Sequence, residues 1–326
     1  MSRPRRGVSG DAAQDVSGDT ANSPRPWGAA ELERLVRLCA AALPDESLTA
    51  DDLETVGLLG PAGGQVELVG CSGPDGQDLG AAIVSVVDPE MTDVAQLQLL
   101  VVHPAARRRG VARSLVDAAE GWARERGAAA LVVGAGAPTY LFTGVDTRWT
   151  DALCCFEALG FRRTGVELDL VCPTSPSGRN ASAEARTPAT SGVSVVVQAV
   201  RDDADAAGLQ QMVRAHHPQW TPEFAAAAAA GTVVLAREDG GGRVLGAAAH
   251  SVNRVGVIGP VAVAPDVQGA GVGRRLMEAV LAELSTAGFR QAEIAWVSTV
   301  RFYVRTCGAR VGRSSVVLRR DLWAER

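Results

Sequence analysis

The sequence predicts an α/β protein built from two similar domains, and three observations support this expectation. The chain has 326 residues, about twice the commonest domain length, and 47% of them are apolar, so each half can bury its own core. Strand-like apolar runs and amphipathic helical stretches occur in both halves. A shift of 161 residues also places a strand, loop and helix of the first half onto the second.

Polar stretches set the predicted boundaries. Residues 173–192 (PTSPSGRNASAEARTPATSG) are rich in Ser, Thr, Pro and Gly without apolar periodicity, which is typical of a linker. Residues 1–28 are also polar, and their arginines are followed by no apolar run, so we expect a disordered tail rather than a signal peptide. The predicted domains are therefore 29–172 and 193–326.

Hydrophobic patterning predicts the elements in chain order. They are a helix at 30–43 and strands at 65–70, 79–87 and 95–102, then strands at 193–200, 232–237, 244–251 and 255–263. Another helix is bounded by Thr221 as N-cap, Pro222 as first helical residue and Gly231 as terminator. Because alanine dominates its body, we expect this helix to be a scaffold or lid without a direct catalytic role.

Composition disfavours several functions. No apolar run approaches the roughly 18 residues of a membrane span. The net charge of −5 disfavours nucleic-acid binding despite the basic triplet Arg107, Arg108 and Arg109. All 32 basic residues are arginine, which excludes mechanisms that need lysine, such as Walker-type phosphate loops and Schiff bases. The six cysteines lack metal-site spacing, so we expect reduced thiols, no metal and a cytoplasmic location.

The repeated unit is a strand, a Pro-containing turn, a small-residue loop and an amphipathic helix. A loop that opens into a helix N-terminus offers unpaired amides and the positive end of the helix dipole to a phosphate. In the second copy, Gly269, Gly271 and Gly273 would let the backbone approach it. A glycine turn starting an ordinary helix is the alternative. A dinucleotide fold fits poorly, because Arg274 stands where it needs glycine and the next strand ends in Ala295-Trp296 without an acidic residue.

These residues resemble the GCN5-related N-acetyltransferase (GNAT) family, whose signature is Gln/Arg-x-x-Gly-x-Gly/Ala after a Val-x-Pro. The matching positions are Val263, Pro265, Gln268, Gly271 and Gly273 in one half and Val102, Pro104, Arg107, Gly110 and Ala112 in the other. The resemblance covers 30–172 and 193–322. It implies two tandem GNAT-type domains, each with a mixed, mostly antiparallel central sheet flanked by helices, and acetyl-CoA as acyl donor.

The resemblance also assigns residues to the acyl donor. In the family, the strand before the loop pairs with the pantetheine arm and the loop amides hold the pyrophosphate. The second-half residues in these positions are Val261, Ala262, Val263, Gln268, Gly269, Ala270, Gly271, Val272, Gly273 and Arg274. The first-half residues are Leu100, Val101, Val102, Arg107, Arg108, Arg109, Gly110, Val111, Ala112 and Arg113, where the arginines would add charge for phosphate.

Family members often use a tyrosine to protonate the leaving CoA thiolate, and Tyr303 lies in a segment that resembles the family's late helix. Gly308 follows Tyr303 by five positions, whereas four is the common family spacing. The direction of the Tyr303 side chain therefore does not follow from the resemblance. The first half has Phe156 at the matching position, and phenylalanine cannot donate a proton. That domain is therefore expected to bind CoA without catalysis or to be a structural partner.

The acceptor is less well determined. Glu293, His250 and the pair His216-His217 are candidate bases, and none is preferred. The segments 140–146 (YLFTGVD) and 294–297 (IAWV), the latter running into Phe302-Tyr303, resemble tandem bacterial glucosamine or glucosaminide N-acetyltransferases. This resemblance makes Tyr140, Asp146 and Trp149 candidates for the substrate side. The expected partners are acetyl-CoA and a small-molecule amine, in a monomer or homodimer. The alternatives are a non-catalytic acyl-CoA-binding regulator, a mycothiol-synthase-like enzyme and a protein N-acetyltransferase.

Overall fold

The computed structural model of the protein describes residues 23–60, 63–87, 93–134, 136–175, 195–240 and 242–323. Most of the predicted tail (1–22) and linker (176–192) lie outside the described residues. The described helices, which include the alanine-rich one, are all too short or too polar to span a membrane.

The first half contains four helices and seven strands within the described residues. The helices are α1 (Leu32–Ala42), α2 (Ala50–Glu54), which continues into a π-helical turn at Thr55–Leu59, α3 (Val111–Glu125) and α4 (Thr150–Ala158). The strands are β1 (Arg25–Pro26), β2 (Gln65–Ser72), β3 (Asp78–Val86), β4 (Val94–Val102), β5 (Ala130–Val133), β6 (Val145–Asp146) and β7 (Arg162–Pro173).

The second half contains four helices and six strands within the described residues. The helices are α5 (Asp203–His216), α6 (Thr221–Ala230), α7 (Val272–Thr286) and α8 (Val300–Cys307). The strands are β8 (Val195–Ala199), β9 (Val233–Glu238), β10 (Val244–His250), β11 (Val257–Val263), β12 (Gln291–Ile294) and β13 (Arg310–Asp321). All the strands predicted from apolar runs are present, with ends shifted by one or two residues.

The end of the predicted tail is part of the fold, so that boundary was wrong. Arg25–Pro26 pairs with β2, and Trp27 is only 5% exposed. The indole ring lies against Gly70, where an added Cβ would come within 1.8 Å of it. Burial of this large aromatic surface holds the segment on the sheet, because no polar tail residue could provide the same driving force.

The start of α6 also differs from the prediction. Thr221 is the first helical residue, with φ −56° and ψ −45°, and the N-cap position belongs to Trp220, which makes no side-chain cap hydrogen bond. The reason is that the chain enters α6 directly from a 3-10 turn at Pro218–Trp220, so no extended residue precedes the helix. At the other end, Gly231 stops the helix in the left-handed conformation, with φ 71°, as the sequence predicted.

The two halves exchange their last strands. The strands form one sheet in the order β1-β2-β3-β4-β5-β13-β7-β12-β11-β10-β9-β8, and β6 also pairs with β13. Strand β13 pairs antiparallel with β5 of the first half, and β7 pairs antiparallel with β12 of the second half. The predicted division at 173–192 is therefore a division of the sequence, whereas each half of the sheet contains a strand from the other.

The sheet is mostly antiparallel, and helices cover both of its faces. Only β4–β5 and β11–β12 pair in parallel among the described strands. In the first half, α3 and α4 pack on one face and α1 and α2 on the other. In the second half, α7 and α8 cover one face and α5 and α6 the other. This architecture confirms the predicted fold class, a mixed α/β chain of two similar units.

The 161-residue repeat is also present in three dimensions. Helices α3 and α7 run from 111 to 125 and from 272 to 286, and β5 and β12 from 130 to 133 and from 291 to 294. Gly110 and Gly271 precede the two helices with φ of 83° and 85°. The same local geometry has therefore formed twice, and the surroundings must explain any difference in function.

Candidate functional site

The parallel pair β11–β12 separates after only two residue pairs. Val257 lies opposite Glu293 and Ile258 opposite Ile294, after which no ladder joins the two strands in the described range 242–323. At this point β11 also shifts register against β10. Beyond the bulge, the edge of β11 that faces β12 has backbone groups without a ladder partner. The two strands therefore form a split in the sheet.

A groove of about 1080 Å³ passes through this split. Its wall includes Tyr303 of α8 and Glu223 of α6. Because α8 and α6 cover opposite faces of the sheet, the groove connects the two faces between β11 and β12. The wall also contains, among others, Val261, Val263, the loop residues 267–275, Tyr140, Glu167 and Trp296.

The glycine loop on this wall has the shape of an anion cradle. Gly269 and Gly271 are left-handed, with φ of 83° and 85°, and nothing lies within 4 Å of the position where a Cβ would stand. The first amides of α7 have no intrahelical acceptors and lie at the positive end of the helix dipole. Gly273 was predicted to let the backbone approach a phosphate. The structure gives another reason for a glycine at this position, because a Cβ there would stand 3.1 Å from the ring of Phe302.

The first residue of each signature anchors its loop. Gln268 Nε2 donates to the carbonyl oxygen of Val263 at 3.4 Å. Arg107 Nε donates to the equivalent carbonyl of Val102 at 3.5 Å, and its Nη2 donates to Ala42 O at 3.2 Å, near the C-terminus of α1. The charge of Arg107 therefore meets the negative end of a helix dipole, rather than facing the loop as the phosphate prediction requires.

Tyr303 is buried, with 9% of its surface exposed, and it lines the groove. Burial, followed by the neighbouring Cys307 thiol, raises the pKa of the phenol to about 12. The hydroxyl is therefore protonated at neutral pH and can serve as a proton donor. Helix α8 ends with Gly308 in the left-handed conformation, with φ 66°. The unusual spacing from Tyr303 to Gly308 does not turn the tyrosine away from the groove.

The chain's other tyrosine lines the same groove from the first half. Tyr140 lies between β5 and β6, and its ring meets Trp296 edge to face with centroids 5.6 Å apart. Burial is the main cause that raises the pKa of Tyr140, and the charge of Glu223 is the next. Both tyrosines are thus held in the protonated form, one from each half of the chain.

Trp296 is fixed by contacts from β7. Its backbone is left-handed, with φ 53°, which is rare for a large residue and marks a constrained position. Its backbone N–H donates to Asp169 Oδ1 at 2.8 Å, and its indole side chain donates a hydrogen bond to Glu167. Burial raises the pKa of Asp169 to about 6 and raises that of Glu167 as well. Because β7 is an exchanged strand, first-half carboxyl groups lie beside a second-half aromatic.

Glu223 is the acidic group of α6 on the groove wall. It is 6% exposed, and its Oε2 atom has no hydrogen-bond partner among the described residues. Burial raises the pKa of its carboxyl group to about 7. Glu223 was not among the predicted site residues, because the alanine-rich body of α6 predicted a scaffold or lid. The available signal was a single carboxylate at the start of a helix whose body is Phe224 followed by six alanines.

The matching split in the first half is filled by protein. Strands β4 and β5 pair over four positions, and Gln98 is the next residue of β4 after the last pair. It stands where the second half has Gly259. The Gln98 side-chain amide donates to Thr139 O at 2.8 Å and to Ser85 Oγ at 3.0 Å. The segment between β5 and β6, which carries Tyr140 to the groove, thus packs into the space that is open in the second half.

The first-half counterparts of the donor-binding strand and glycine loop also lie away from the groove. Residues 100–102 and 107–113 are not part of its wall. Arg108 adopts φ 63°, where the second half has Gly269. Phe156 is 4% exposed and packs edge to face on Phe161 in the core of the first half.

The remaining sequence candidates have other contacts. His250 Nε2 lies 3.1 Å from Glu283 Oε2, and Glu293 lies 3.5 Å from Arg254 Nη1. Glu293 lines a small cavity beside the groove together with Tyr140 and Asp169. His217 does line the groove and stacks on Trp220, while His216 is exposed.

Two of the three predicted substrate-side residues are held elsewhere. The carboxylate of Asp146 accepts a hydrogen bond from Arg313 Nη1 at 3.0 Å, and Arg313 also pairs with Glu46. Trp149 packs edge to face on Phe142. Of that predicted group, Tyr140 reaches the groove.

Residues 65–139 and 198–309 match the model of the acetyltransferase (GNAT) family. These two stretches make up more than half of the chain, and each contains one copy of the glycine-loop repeat. The chain belongs to the GNAT family. Comparison with curated proteins found no match.

Solved structures share this tandem fold. A tandem GNAT protein from the clavulanic acid biosynthesis pathway is 16% identical with a TM-score of 0.68, and the match covers 94% of this chain and all of that one. A GCN5-related N-acetyltransferase from Sphaerobacter thermophilus is 20% identical with a TM-score of 0.64, covering 94% and 97%. The glucosamine N-acetyltransferase region of a fungal multi-domain β-N-acetylglucosaminidase is 18% identical with a TM-score of 0.73. That match covers 94% of this chain and 39% of the fungal protein.

Proposed function

We propose that the second half of this GNAT enzyme transfers the acetyl group of acetyl-CoA to the primary amine of a small molecule, with amino sugars as the acceptor class. One observation carries the proposal. The open edge of β11, the glycine loop before α7 and Tyr303 all line a single groove. An acyl carrier, its phosphate contacts and a proton donor therefore have one place to meet.

The residues present fit the donor. The cradle formed by Gly269 and Gly271 and the first amides of α7 suits a pyrophosphate. The free edge of Val261–Val263 suits the amide groups of an extended arm, because an unpaired strand edge accepts an extended chain. When bound, acetyl-CoA supplies an acetyl group activated as a thioester.

Tyr303 is the proposed general acid. As the amine nitrogen bonds to the acetyl carbon, the carbon–sulfur bond breaks and the sulfur takes the phenolic proton. The phenolate regains a proton released by the amine. A phenol with a pKa of about 12 remains a suitable donor if the leaving thiolate is also desolvated.

An amino sugar fits the other end of the groove. The edge-to-face pair of Tyr140 and Trp296 provides aromatic surface for a sugar ring, and the carboxyl groups of Glu167 and Glu223 provide acceptors for ammonium and hydroxyl groups. The similarity to the fungal glucosamine N-acetyltransferase region supports the same acceptor class.

The test is release of free CoA thiol from acetyl-CoA by the purified chain, with a panel of glucosamine, its oligomers, a lysine peptide and no amine. Thiol release that depends on the amino sugars would support the proposal. Release with the lysine peptide alone would favour a protein acetyltransferase. Acetyl-CoA binding without release across the panel would favour a regulatory acyl-CoA-binding protein. Because the chain has no lysine, it adds no lysine acceptor of its own to the assay.

A further inference from the structure

Glu223 differs from the described buried carboxylates that are held by hydrogen bonds or ion pairs. Asp52 accepts from Thr49 N and from Val255 N, each at 2.8 Å. Glu120 lies 2.7 Å from Arg320 Nη1, Asp205 lies 2.9 Å from Arg237 Nη2, and Glu46 lies 2.8 Å from Arg313 Nη2. Glu223 has no such ion pair among the described residues, and burial is the only cause that shifts its pKa. A buried carboxylate without a partner is costly, so this position favours a cationic ligand.

We propose that Glu223 binds the ammonium group of the acceptor and takes up the proton that the ammonium must lose before its nitrogen can attack. Tyr140 completes this subsite from the first half of the chain. The inference rests on the proposed acetyl transfer, and it names the cationic end of the acceptor and the residue that receives it.

The surroundings of Glu223 in α6 support a ligand role. Phe224 and Ala227, the other buried residues of this helix, pack into the apolar core beneath the sheet. A carboxylate next to these residues adds no apolar contact to that core, and an apolar side chain would avoid the desolvation cost. Its first-turn position lets Glu223 interact with the dipole of α6, and the groove that it lines is where its carboxyl group can meet a cationic ligand.

The position relative to Tyr303 is suitable for the reaction. Glu223 and Tyr303 lie on helices that cover opposite faces of the sheet, and the split between β11 and β12 joins them. An acceptor held at α6 would approach the split from one face, while the leaving thiol would be protonated from the other. The nucleophile and the leaving group then do not compete for the same space.

Tyr140 connects the subsite to the first half. Tyr140 and Glu223 both line the groove, and the charge of Glu223 is one of the causes that raise the pKa of Tyr140. The Tyr140 hydroxyl also hydrogen-bonds the side chain of Asn253, which fixes the ring beside Trp296. The subsite thus combines a carboxylate for the ammonium with an aromatic pair for the body of the acceptor.

The protons balance in this scheme. The ammonium gives one proton to the Glu223 carboxylate, the freed lone pair forms the new carbon–nitrogen bond, and the carboxylic acid returns its proton to water through the open groove. A carboxyl group with a pKa of about 7 is well matched to an amine whose own pKa is about 8. The other titratable or charged groups on the wall are Tyr140, Glu167, His217, Arg274, Arg275, Glu278, Tyr303 and Arg305.

The test compares wild type with Glu223→Gln, Glu223→Asp and the exposed control Glu33→Gln on α1. We expect Glu223→Gln to weaken glucosamine binding to the CoA-saturated protein at least tenfold by calorimetry, with an unchanged acetyl-CoA affinity. The rise of kcat/KM for the amine with pH around 7 should disappear in Glu223→Gln and persist in Glu223→Asp and Glu33→Gln. Thermal unfolding checks that each variant is folded.

The outcomes separate this inference from the proposed function. Thiol release with equal amine affinity and equal pH profiles in wild type and Glu223→Gln would overturn the role of Glu223 and leave acetyl transfer standing. Glucosamine binding that depends on Glu223 but yields no thiol would support the subsite and refute the transfer reaction. A wild-type protein that binds no amine would overturn both.

Discussion

The two tyrosines face one groove from different halves of the chain, and matched substitutions separate their roles. Tyr303→Phe should lower kcat about 100-fold, since a general acid contributes at least about that factor, and should leave acetyl-CoA affinity unchanged. Tyr140→Phe should instead raise the KM of the amine about fivefold, the effect of one lost hydrogen bond of about 1 kcal/mol. Steady-state kinetics on both substrates measures the difference. Similar losses of kcat in both variants would argue against Tyr303 as the acid.

Buried carboxyl groups predict how stability depends on pH. Burial raises the pKa of Glu223 from 4.5 to about 7 and that of Asp169 from 3.8 to about 6. Between about pH 4 and pH 7 the folded protein binds more protons than the unfolded chain. The free energy of unfolding therefore falls as the pH rises through this range. Glu223→Gln should flatten the upper part of this decline in urea denaturation at a series of pH values. Parallel wild-type and variant curves would contradict the assignment.

Among individual residues, the sequence predicted those that belong to a local pattern and not those whose place depends on packing. The glycine loop and Tyr303 belong to such patterns and do line the groove, while their roles in acetyl transfer stay predictions. Glu223 was missed because its burial and its lack of a partner arise only when α6 packs beside the split. Gln98 was missed for the same reason, since its acceptor Thr139 is 41 residues away in sequence.

Two glycines offer a matched test of the loop elements. Gly110 and Gly271 have nearly the same left-handed backbone and open space where a Cβ would stand. Substitution by alanine should therefore destabilise both loops similarly, by about 1–2 kcal/mol. Only Gly271→Ala should weaken acetyl-CoA binding, because only its loop lines the groove. Calorimetry with thermal unfolding measures both effects, and equal loss of binding in the two variants would refute the distinction.

Periodicity predicted seven of the strands and the repeated helices α3 and α7. It did not predict α2, α5, β5, β7 or β13, nor the two-residue strands β1 and β6. Two-residue strands carry no measurable alternation, and Trp27 is a single aromatic within a polar stretch. Strand partners are set by contacts between residues distant in sequence, which a local pattern does not contain.

For the whole molecule, the strand exchange predicts mutual dependence of the halves. The ladder between β7 and β13 runs from Arg162 opposite Arg319 to Val171 opposite Arg310. A protease site engineered between residues 175 and 195 should therefore give two fragments that remain associated and unfold in one thermal transition. Size-exclusion chromatography and calorimetry provide the measurement. Two separated fragments with independent transitions would contradict this dependence.

The same exchange explains why one groove draws on both halves. Strand β7 carries Asp169 and Glu167 to Trp296, and the segment that fills the first-half split carries Tyr140 to the same place. The described part of the first half thereby lacks an open split of its own, and it supplies residues to the groove of the second half. If the proposed function holds, we expect the repeated sequence to provide a single working site.

The number of acetyl-CoA molecules bound per chain decides whether the chain has one working site or two. Calorimetric titration of the full chain should give one site, and its affinity should survive Gly110→Ala and fall in Gly271→Ala. Two equivalent sites per chain, or a single site that is lost in Gly110→Ala and retained in Gly271→Ala, would contradict the account.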